Sequence, residues 1–193
     1  MRKLPIAALA LLVPLAAAQA HTGHPAGTAL EGLLHPLGGA DHLLAMVMVG
    51  LWSAVLARRQ AADPWLLPAA FVTAMVAGAA LPQAGIALPA VEPGIAGSVV
   101  LLGLALLAMP RLPTAAAAAT VALFGLLHGF AHGVGLAGSG ALWAYGAGLV
   151  VMTAGLHIAG VLAGGRLLGT GRELWLRLAG AAAAAAGVAM AVG

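Results

Sequence analysis

Beyond residue 32, the chain is a series of long apolar runs interrupted by proline, glycine and charged residues. About 20 predominantly apolar residues are needed to cross the hydrocarbon core of a bilayer as an α-helix, and each run is close to that length. The runs predict transmembrane helices at about residues 33–56, 65–82, 94–110, 115–134, 140–164 and 174–192. We therefore expect an all-α, polytopic integral membrane protein whose six transmembrane helices form one membrane domain over residues 21–193.

The first twenty residues follow a different pattern. A basic start at Arg2 and Lys3 precedes an apolar run that ends in the small-residue stretch Ala18-Gln19-Ala20. This order is typical of a secretory signal peptide, so we expect residues 1–20 to be cleaved and the mature chain to begin at His21. The alternative is an uncleaved first helix, for which the run is short against about 30 Å of hydrocarbon.

Arginine residues occur after every second predicted helix. Arg58 and Arg59 follow the first helix, Arg111 follows the third, and Arg166 and Arg172 follow the fifth. The connections after the second and fourth helices contain no lysine or arginine. Because basic residues of short loops collect on the cytoplasmic side, the pattern predicts a bacterial inner membrane protein with both mature termini in the periplasm.

The composition agrees with a membrane protein and narrows the chemistry. Hydrophobic residues make up 63% of the 193 residues and charged residues 7%, and the mean hydropathy is +1.07. The net charge of +3 comes from eight basic residues without a basic patch, so the expected partner is the lipid bilayer and not nucleic acid. Since cysteine is absent, any metal must be held by nitrogen, oxygen or thioether sulfur.

Two histidines and an aspartate stand at the start of the first predicted helix, in the stretch HPLGGADH. Ionisable groups are costly inside a bilayer unless they face protein or water, so His35, Asp41 and His42 are candidate metal ligands. In a continuous helix the two histidines would lie about 10.5 Å apart along the axis, which is too far for one ion. Either they mark two successive stations, or Gly38-Gly39 breaks the helix and brings them together, as in transporters with discontinuous helices.

A second pair of histidines lies in the fourth predicted helix, in the stretch LLHGFAHGVG. His128 and His132 are four residues apart, so they are neighbours on one helix face and can share a metal ion. Gly129 and Gly133 leave room for a neighbouring helix to approach closely. The alternative is that both histidines are structural and form hydrogen bonds to hydroxyl or carbonyl groups.

Four further residues are candidate metal ligands with less support. His157 lies deep in the fifth predicted helix and is either a ligand or a hydrogen-bonded packing residue. Glu92, expected just before the third helix, is either a ligand at the outer mouth or an ordinary interfacial carboxylate. His21 and His24, together with the amino group freed by cleavage, are expected to capture a divalent cation outside the membrane.

These motifs resemble the HupE/UreJ family of nickel and cobalt permeases associated with hydrogenase and urease operons. HPLGGADHLLAMVMVG is similar to the family's HPxxGxDHxxxMxxVG signature, and HGFAHG is similar to its HGxAHG motif. VEPGIAGS and TAGLHIAG are similar to its third and fifth spans. The resemblance implies a six-helix importer of Ni²⁺ or Co²⁺ in a hydrogenase or urease maturation context, with functional positions at His35, Asp41, His42, His128 and His132.

The chain departs from the family pattern at two positions. Family members commonly read HGxAHGxE, whereas this chain has Gly135 at the acidic position and Leu127 where an aromatic residue is common. A carboxylate is therefore missing from the expected outer mouth. This departure concerns the affinity for metal or the choice of metal more than the class of transport.

The leading hypothesis is a secondary permease with a divalent transition metal as its substrate, no tightly bound cofactor and no enzymatic activity. No GxxxxGK[ST] phosphate-binding loop occurs, so an ATPase is not encoded here. The alternative is a b-type cytochrome subunit with His42 or His157 and His128 as axial haem ligands. An intramembrane serine protease is disfavoured, because Ser139 lies in a predicted outer loop and His157 in the middle of a helix.

Overall fold

A computed structural model describes residues 27–193, and this part of the chain is entirely helical apart from short connections. The α-helices are α1 (Ala29–Gly38), α2 (Ala40–Gln60), α3 (Leu66–Ala80), α4 (Val91–Ala108), α5 (Thr114–Gly135), α6 (Leu142–Gly169) and α7 (Glu173–Val192). A 3₁₀ turn at Pro82–Ala84 follows α3. The expected signal peptide and the candidate ligands His21 and His24 lie outside the described residues.

Six helical segments of the described chain are long and apolar enough to cross a membrane. They are α2, α3 with its 3₁₀ extension (Leu66–Ala84), α4, α5, α6 and α7. The chain is therefore an integral, multi-pass membrane protein, and the predicted number of helices suited to spanning a membrane is confirmed. The boundaries shift by a few residues, and one shift matters: Glu92 lies in the first turn of α4 and not before it.

The prediction that the first span is a single helix over residues 33–56 is wrong. It consists of α1 and α2, which meet at Gly39, where the backbone is extended at φ −111° and ψ 121°. Helix α1 begins earlier than the apolar run because Thr28 and Glu31 form a capping box. The Thr28 hydroxyl accepts from the backbone N–H of Glu31 at 3.2 Å, and the Glu31 carboxylate accepts from the backbone N–H of Thr28 at 2.9 Å. The break confirms one of the two alternatives that the HPLGGADH stretch left open.

Helix α2 occupies the centre of the bundle. Of its apolar stretch 67% is buried, against 39% or less for each of the other five spans. The remaining helices pack mainly in pairs, α3 with α5, α4 with α7, and α6 with both α1 and α2. A residue on the inner side of α2 is thus shielded from lipid by several neighbouring helices.

The pairing of α3 and α5 depends on a row of glycines. Gly125, Gly129 and Gly133 recur every four residues on α5, and a Cβ at each would fall on the backbone carbonyl of Phe71, Met75 or Ala79 of α3. Small residues at this spacing let two helix backbones come into direct contact. The expectation that Gly129 and Gly133 make room for a neighbouring helix is confirmed.

One end of the bundle is tied together by arginine side chains. Arg59, in the last turn of α2, forms an ion pair with Glu173 at the start of α7, with 2.9 Å between Nη2 and Oε2. Its Nη1 also donates to the carbonyl of Met109, which caps α4. Arg177 donates to the carbonyl of Leu107. We call this region the charged end, and the opposite end, where α2 begins and α5 ends, the histidine end.

Candidate metal centre

Three imidazoles from three helices meet at the histidine end. His35 lies near the end of α1, His42 at the start of α2 and His132 in the last turn of α5. One ring nitrogen from each lies within 4.8 Å of the other two. His42 and His132 are buried and His35 is half-buried, so the group lies inside the helix bundle but close to its end. We call these three residues the three-histidine cluster.

The spacing within the cluster suits a metal ion. The Nε2 atoms of His42 and His132 are 3.1 Å apart. Two imidazole nitrogens bound to one transition metal at about 2.1 Å, with 90–110° between them, lie about 3.0–3.4 Å apart. The ring centroid of His35 is 5.3 Å from that of His42 and 4.8 Å from that of His132. His35 is thus near enough to contribute a third nitrogen to the same site.

Asp41 orients His42 within the cluster. Its Oδ1 accepts bonds from both the backbone N–H and the Nδ1 of His42, each at 2.8 Å. When Nδ1 carries the proton of a neutral imidazole, Nε2 keeps its lone pair and points it at the cluster. A carboxylate behind a ligating histidine is a common arrangement in metal sites and raises the basicity of the ligand. In this structure Asp41 thus acts on the cluster through His42.

Gly39 leaves the space that this carboxylate and ring occupy. A Cβ at Gly39 would lie 2.7 Å from Oδ1 of Asp41 and 3.2 Å from Nδ1 of His42. The same residue also ends α1, so the helix break and the position of the Asp41–His42 pair have one local cause. In a continuous helix His35 would lie two turns away from His42.

His128 and His157 lie outside the three-histidine cluster, deeper in the bundle, and both are fully buried. The ring centroid of His128 is 5.2 Å from that of His42, and its Nδ1 donates to the carbonyl of Phe124 at 2.8 Å. The ring of His157 lies against that of Phe71, with centroids 5.1 Å apart. The i, i+4 pair of α5 is therefore divided, with His132 in the cluster and His128 one turn below it.

Glu92 belongs to a separate feature. It is exposed and lines an open surface pocket of about 620 Å³ together with Phe130, Val134 and Gly135. Gly135, the position where family members commonly carry an acidic residue, thus lines the same pocket as Glu92. Leu127 packs nearby, because a Cβ at Gly94 in α4 would lie 2.6 Å from its Cδ1. Glu92 is the acidic residue among those that line this pocket.

Aromatic residues beside the histidines were missed by the sequence reasoning. Tyr145 of α6 is 4% exposed, and its ring centroid is 5.8 Å from that of His35 and 6.1 Å from that of His132. Phe71 of α3 contacts both His128 and His157. A lone aromatic in an apolar helix carries no distinctive signal, because the same residue also serves ordinary packing.

The alternative functions fit this geometry poorly. The rings of His42 and His128 touch edge to face with centroids 5.2 Å apart, which leaves no slot for a porphyrin between two axial ligands. Phe71 fills the space between His128 and His157. Ser139 lies in the connection between α5 and α6, where its hydroxyl donates to the carbonyl of Leu136 at 2.8 Å, so it has no geometry for attack assisted by His157.

Comparison with known proteins agrees with the motifs. The family model described as HupE / UreJ protein matches residues 9–190. A protein named Protein HupE, from Rhizobium leguminosarum bv. viciae, is 40% identical over 185 residues, which cover 96% of this chain and 95% of that protein. No solved structure matches. With a family model and a relative that each match nearly the whole chain, this protein belongs to the HupE/UreJ family.

Proposed function

We propose that this protein is a permease that takes up a divalent transition metal ion through the helix bundle, with Ni²⁺ or Co²⁺ as the substrate. The observation that carries the proposal is the three-histidine cluster, in which donor atoms from α1, α2 and α5 lie within 4.8 Å of one another. A site assembled from three helices can change its geometry when those helices move, as release of an ion requires. The metal ion is cargo in this proposal and not a resident cofactor.

The chemistry of the donors supports a transition metal. His35, His42 and His132 offer neutral nitrogen, which suits Ni²⁺, Co²⁺, Cu²⁺ and Zn²⁺ better than Mg²⁺ or Ca²⁺. Asp41 adds one negative charge beside the nitrogens, which offsets part of the charge of a dication. The preference for nickel and cobalt, and a role in supplying hydrogenase or urease, rest on the family resemblance. We propose that three further residues help to bind the same metal ion, namely Asp41, Glu92 and His128.

The membrane potential is a sufficient energy source for this activity. About 2.3 kcal/mol per elementary charge at 100 mV gives about 4.6 kcal/mol for a dication, which corresponds to roughly a thousandfold accumulation. We expect cells that express the chain to accumulate radiolabelled Ni²⁺ or Co²⁺ well above cells without it. Collapse of the potential and the proton gradient with ATP held constant should abolish the difference. Radiolabelled Zn²⁺, measured in parallel, reports selectivity among metals with similar ligands.

Two results would count against the permease. One is equal accumulation of all three metals with and without the chain. The other is accumulation against the metal's concentration gradient that continues unchanged after both gradients have collapsed, which would require a different energy source. A vector-only strain treated identically is the control for nonspecific adsorption of metal to cells.

The charged end is proposed to face the cytoplasm, because basic residues collect on that side of the membrane. We expect a reporter fused after Gly193 to be active only outside the cytoplasm, and one inserted after Arg111 to be active only inside. A cytoplasmic signal from the Gly193 fusion would contradict this orientation. The proposal also includes a cleaved signal peptide, a mature start at His21 in the periplasm, and capture of scarce metal by His21 and His24.

A further inference from the structure

A row of aromatic rings leads from the three-histidine cluster into the bundle. Successive ring centroids lie 5.2 Å apart from His42 to His128, 5.4 Å from His128 to Phe71 and 5.1 Å from Phe71 to His157. His157 lies about 22 Å along α6 from its first residue, Leu142, at 1.5 Å per residue. The row therefore connects the histidine end with the middle of the longest helix of the described chain.

The deep histidines of this row carry buried ring nitrogens without a hydrogen-bond partner among residues 27–193. These atoms are Nε2 of His128 and both ring nitrogens of His157. Because Nδ1 of His128 donates to the carbonyl of Phe124, its Nε2 holds an unused lone pair. A buried polar group that forms no hydrogen bond destabilises the folded state, so leucine would serve better than His157 if the position were only a packing position.

Two further potential donors each lie one helical turn from a residue of this row. Thr153 precedes His157 by one turn on α6, and Met75 follows Phe71 by one turn on α3. The Thr153 hydroxyl oxygen and the Met75 sulfur are 3.9 Å apart, and both side chains are buried. The backbone of α3 is fixed at this level because Gly129 of α5 packs directly against the carbonyl of Met75.

We propose that His157, Met75 and Thr153 form a second cation station, the inner station, on the path of the metal ion. This inference rests on the proposed permease function and extends it. Imidazole nitrogen together with thioether sulfur favours a late transition metal over Mg²⁺ or Ca²⁺. His128 lies between the three-histidine cluster and the inner station, and the Phe71 ring separates His128 from His157. An ion reaches the inner station when that ring turns aside.

Two stations in series serve transport better than one tight site. A cation moves through a pore or carrier when each site binds strongly enough to accept it and weakly enough to release it to the next. The three-histidine cluster lies near the histidine end, whereas the inner station lies about halfway along α6 and has one nitrogen ligand in place of three. The ion thus passes from the stronger site to the weaker one on its way inward.

The test is the number of Co²⁺ ions bound by the purified full-length chain in lipid nanodiscs, measured by equilibrium dialysis. With His21 and His24 replaced by alanine in every sample, which removes the proposed external capture site, we expect two ions per chain. One ion should be lost in His157→Leu and the other in His132→Ala. Met75→Leu should weaken binding of the ion at the inner station at least tenfold. It should also remove the sulfur contribution from the cobalt X-ray absorption spectrum. Met109→Leu, a buried methionine at the charged end, is the matched control and should leave both ions and the spectrum unchanged.

The outcomes separate this inference from the function on which it rests. One result would overturn the inner station but leave the permease proposal intact. In that result the chain binds one ion, which is lost in His132→Ala but still bound in His157→Leu and Met75→Leu. No bound ion in the chain without these further substitutions would overturn both proposals. If His157→Leu does not insert, Met75→Leu decides, because leucine closely matches methionine in volume. Unchanged affinity and an unchanged spectrum in that variant would also reject the inner station.

Discussion

Replacing His42 with alanine is expected to reduce metal uptake to background while the protein is inserted at normal levels. His42 provides Nε2 at 3.1 Å from Nε2 of His132 and also donates the orienting hydrogen bonds to Asp41. Its loss removes one of three nitrogen ligands and leaves the Asp41 carboxylate buried without its ring partner. His35→Ala and His132→Ala should behave alike, because each removes one of the remaining nitrogens. Radiolabelled uptake, normalised to the amount of protein in the membrane, is the measurement.

Asp41→Asn provides a finer version of the same test. The amide retains the shape of the carboxylate but loses its charge, and changes to such supporting residues lower metal affinity by about 10–100-fold. We expect uptake to fail at scarce metal and to recover partly at high metal. Ser53→Ala is the matched control on α2, since Ser53 is buried and donates to the carbonyl of Pro64 at 2.7 Å, near the charged end.

Normal uptake in His42→Ala would contradict the first prediction and would show that the path of the ion lies elsewhere.

Gly129→Ala is expected to produce a large loss of folded protein. The added Cβ would fall on the backbone carbonyl of Met75, where no change of rotamer can relieve the overlap. Overpacking of this kind costs about 1–3 kcal/mol or more. Because α5 carries His128 and His132, any displacement of α5 from α3 also moves the site. The measurements are the amount of inserted protein and its thermal stability in detergent.

Two other glycines provide graded controls for this prediction. A Cβ at Gly94 meets only the terminal Cδ1 of Leu127, a flexible side chain that can turn away, so Gly94→Ala should have a small effect. A Cβ at Gly155 in α6 meets nothing within 4 Å, so Gly155→Ala should be neutral or slightly stabilising, since alanine favours the helix. Equal stability of Gly129→Ala and Gly155→Ala would contradict the close contact between α3 and α5.

The first span shows how far sequence reasoning reached at the site. The cost of burying His35, Asp41 and His42 in a membrane helix predicted that they are functional candidates, and their seven-residue spacing left two arrangements open. Gly39 decides between these, because its extended backbone ends α1 and restarts the chain as α2. The capping box of Thr28 and Glu31 is a sign, readable from the sequence, that a helix begins before the apolar run.

The division of the α5 histidines shows what spacing alone cannot decide. His128 and His132 share a helix face, which predicted a common ion. In the structure His132 faces His35 and His42, whereas His128 bonds the carbonyl of Phe124 and contacts the ring of Phe71. Which of two neighbouring positions joins a cluster depends on where other helices place their side chains, and a local pattern contains no information on those helices.

By itself, the sequence determined that this is a multi-pass membrane protein with six helices long and apolar enough to span a bilayer. It also identified most of the polar residues of interest. Both follow from local physics, since hydrocarbon requires long apolar helices and makes every buried imidazole or carboxylate conspicuous. Only the tertiary structure decided that His35, His42 and His132 meet, that Glu92 lies at a separate surface pocket, and that the Thr153 hydroxyl lies against the Met75 sulfur. These arrangements depend on contacts between residues that are far apart in the chain, such as the packing of the α5 glycines on α3. An ordinary apolar residue acquires a role at a site only through such contacts.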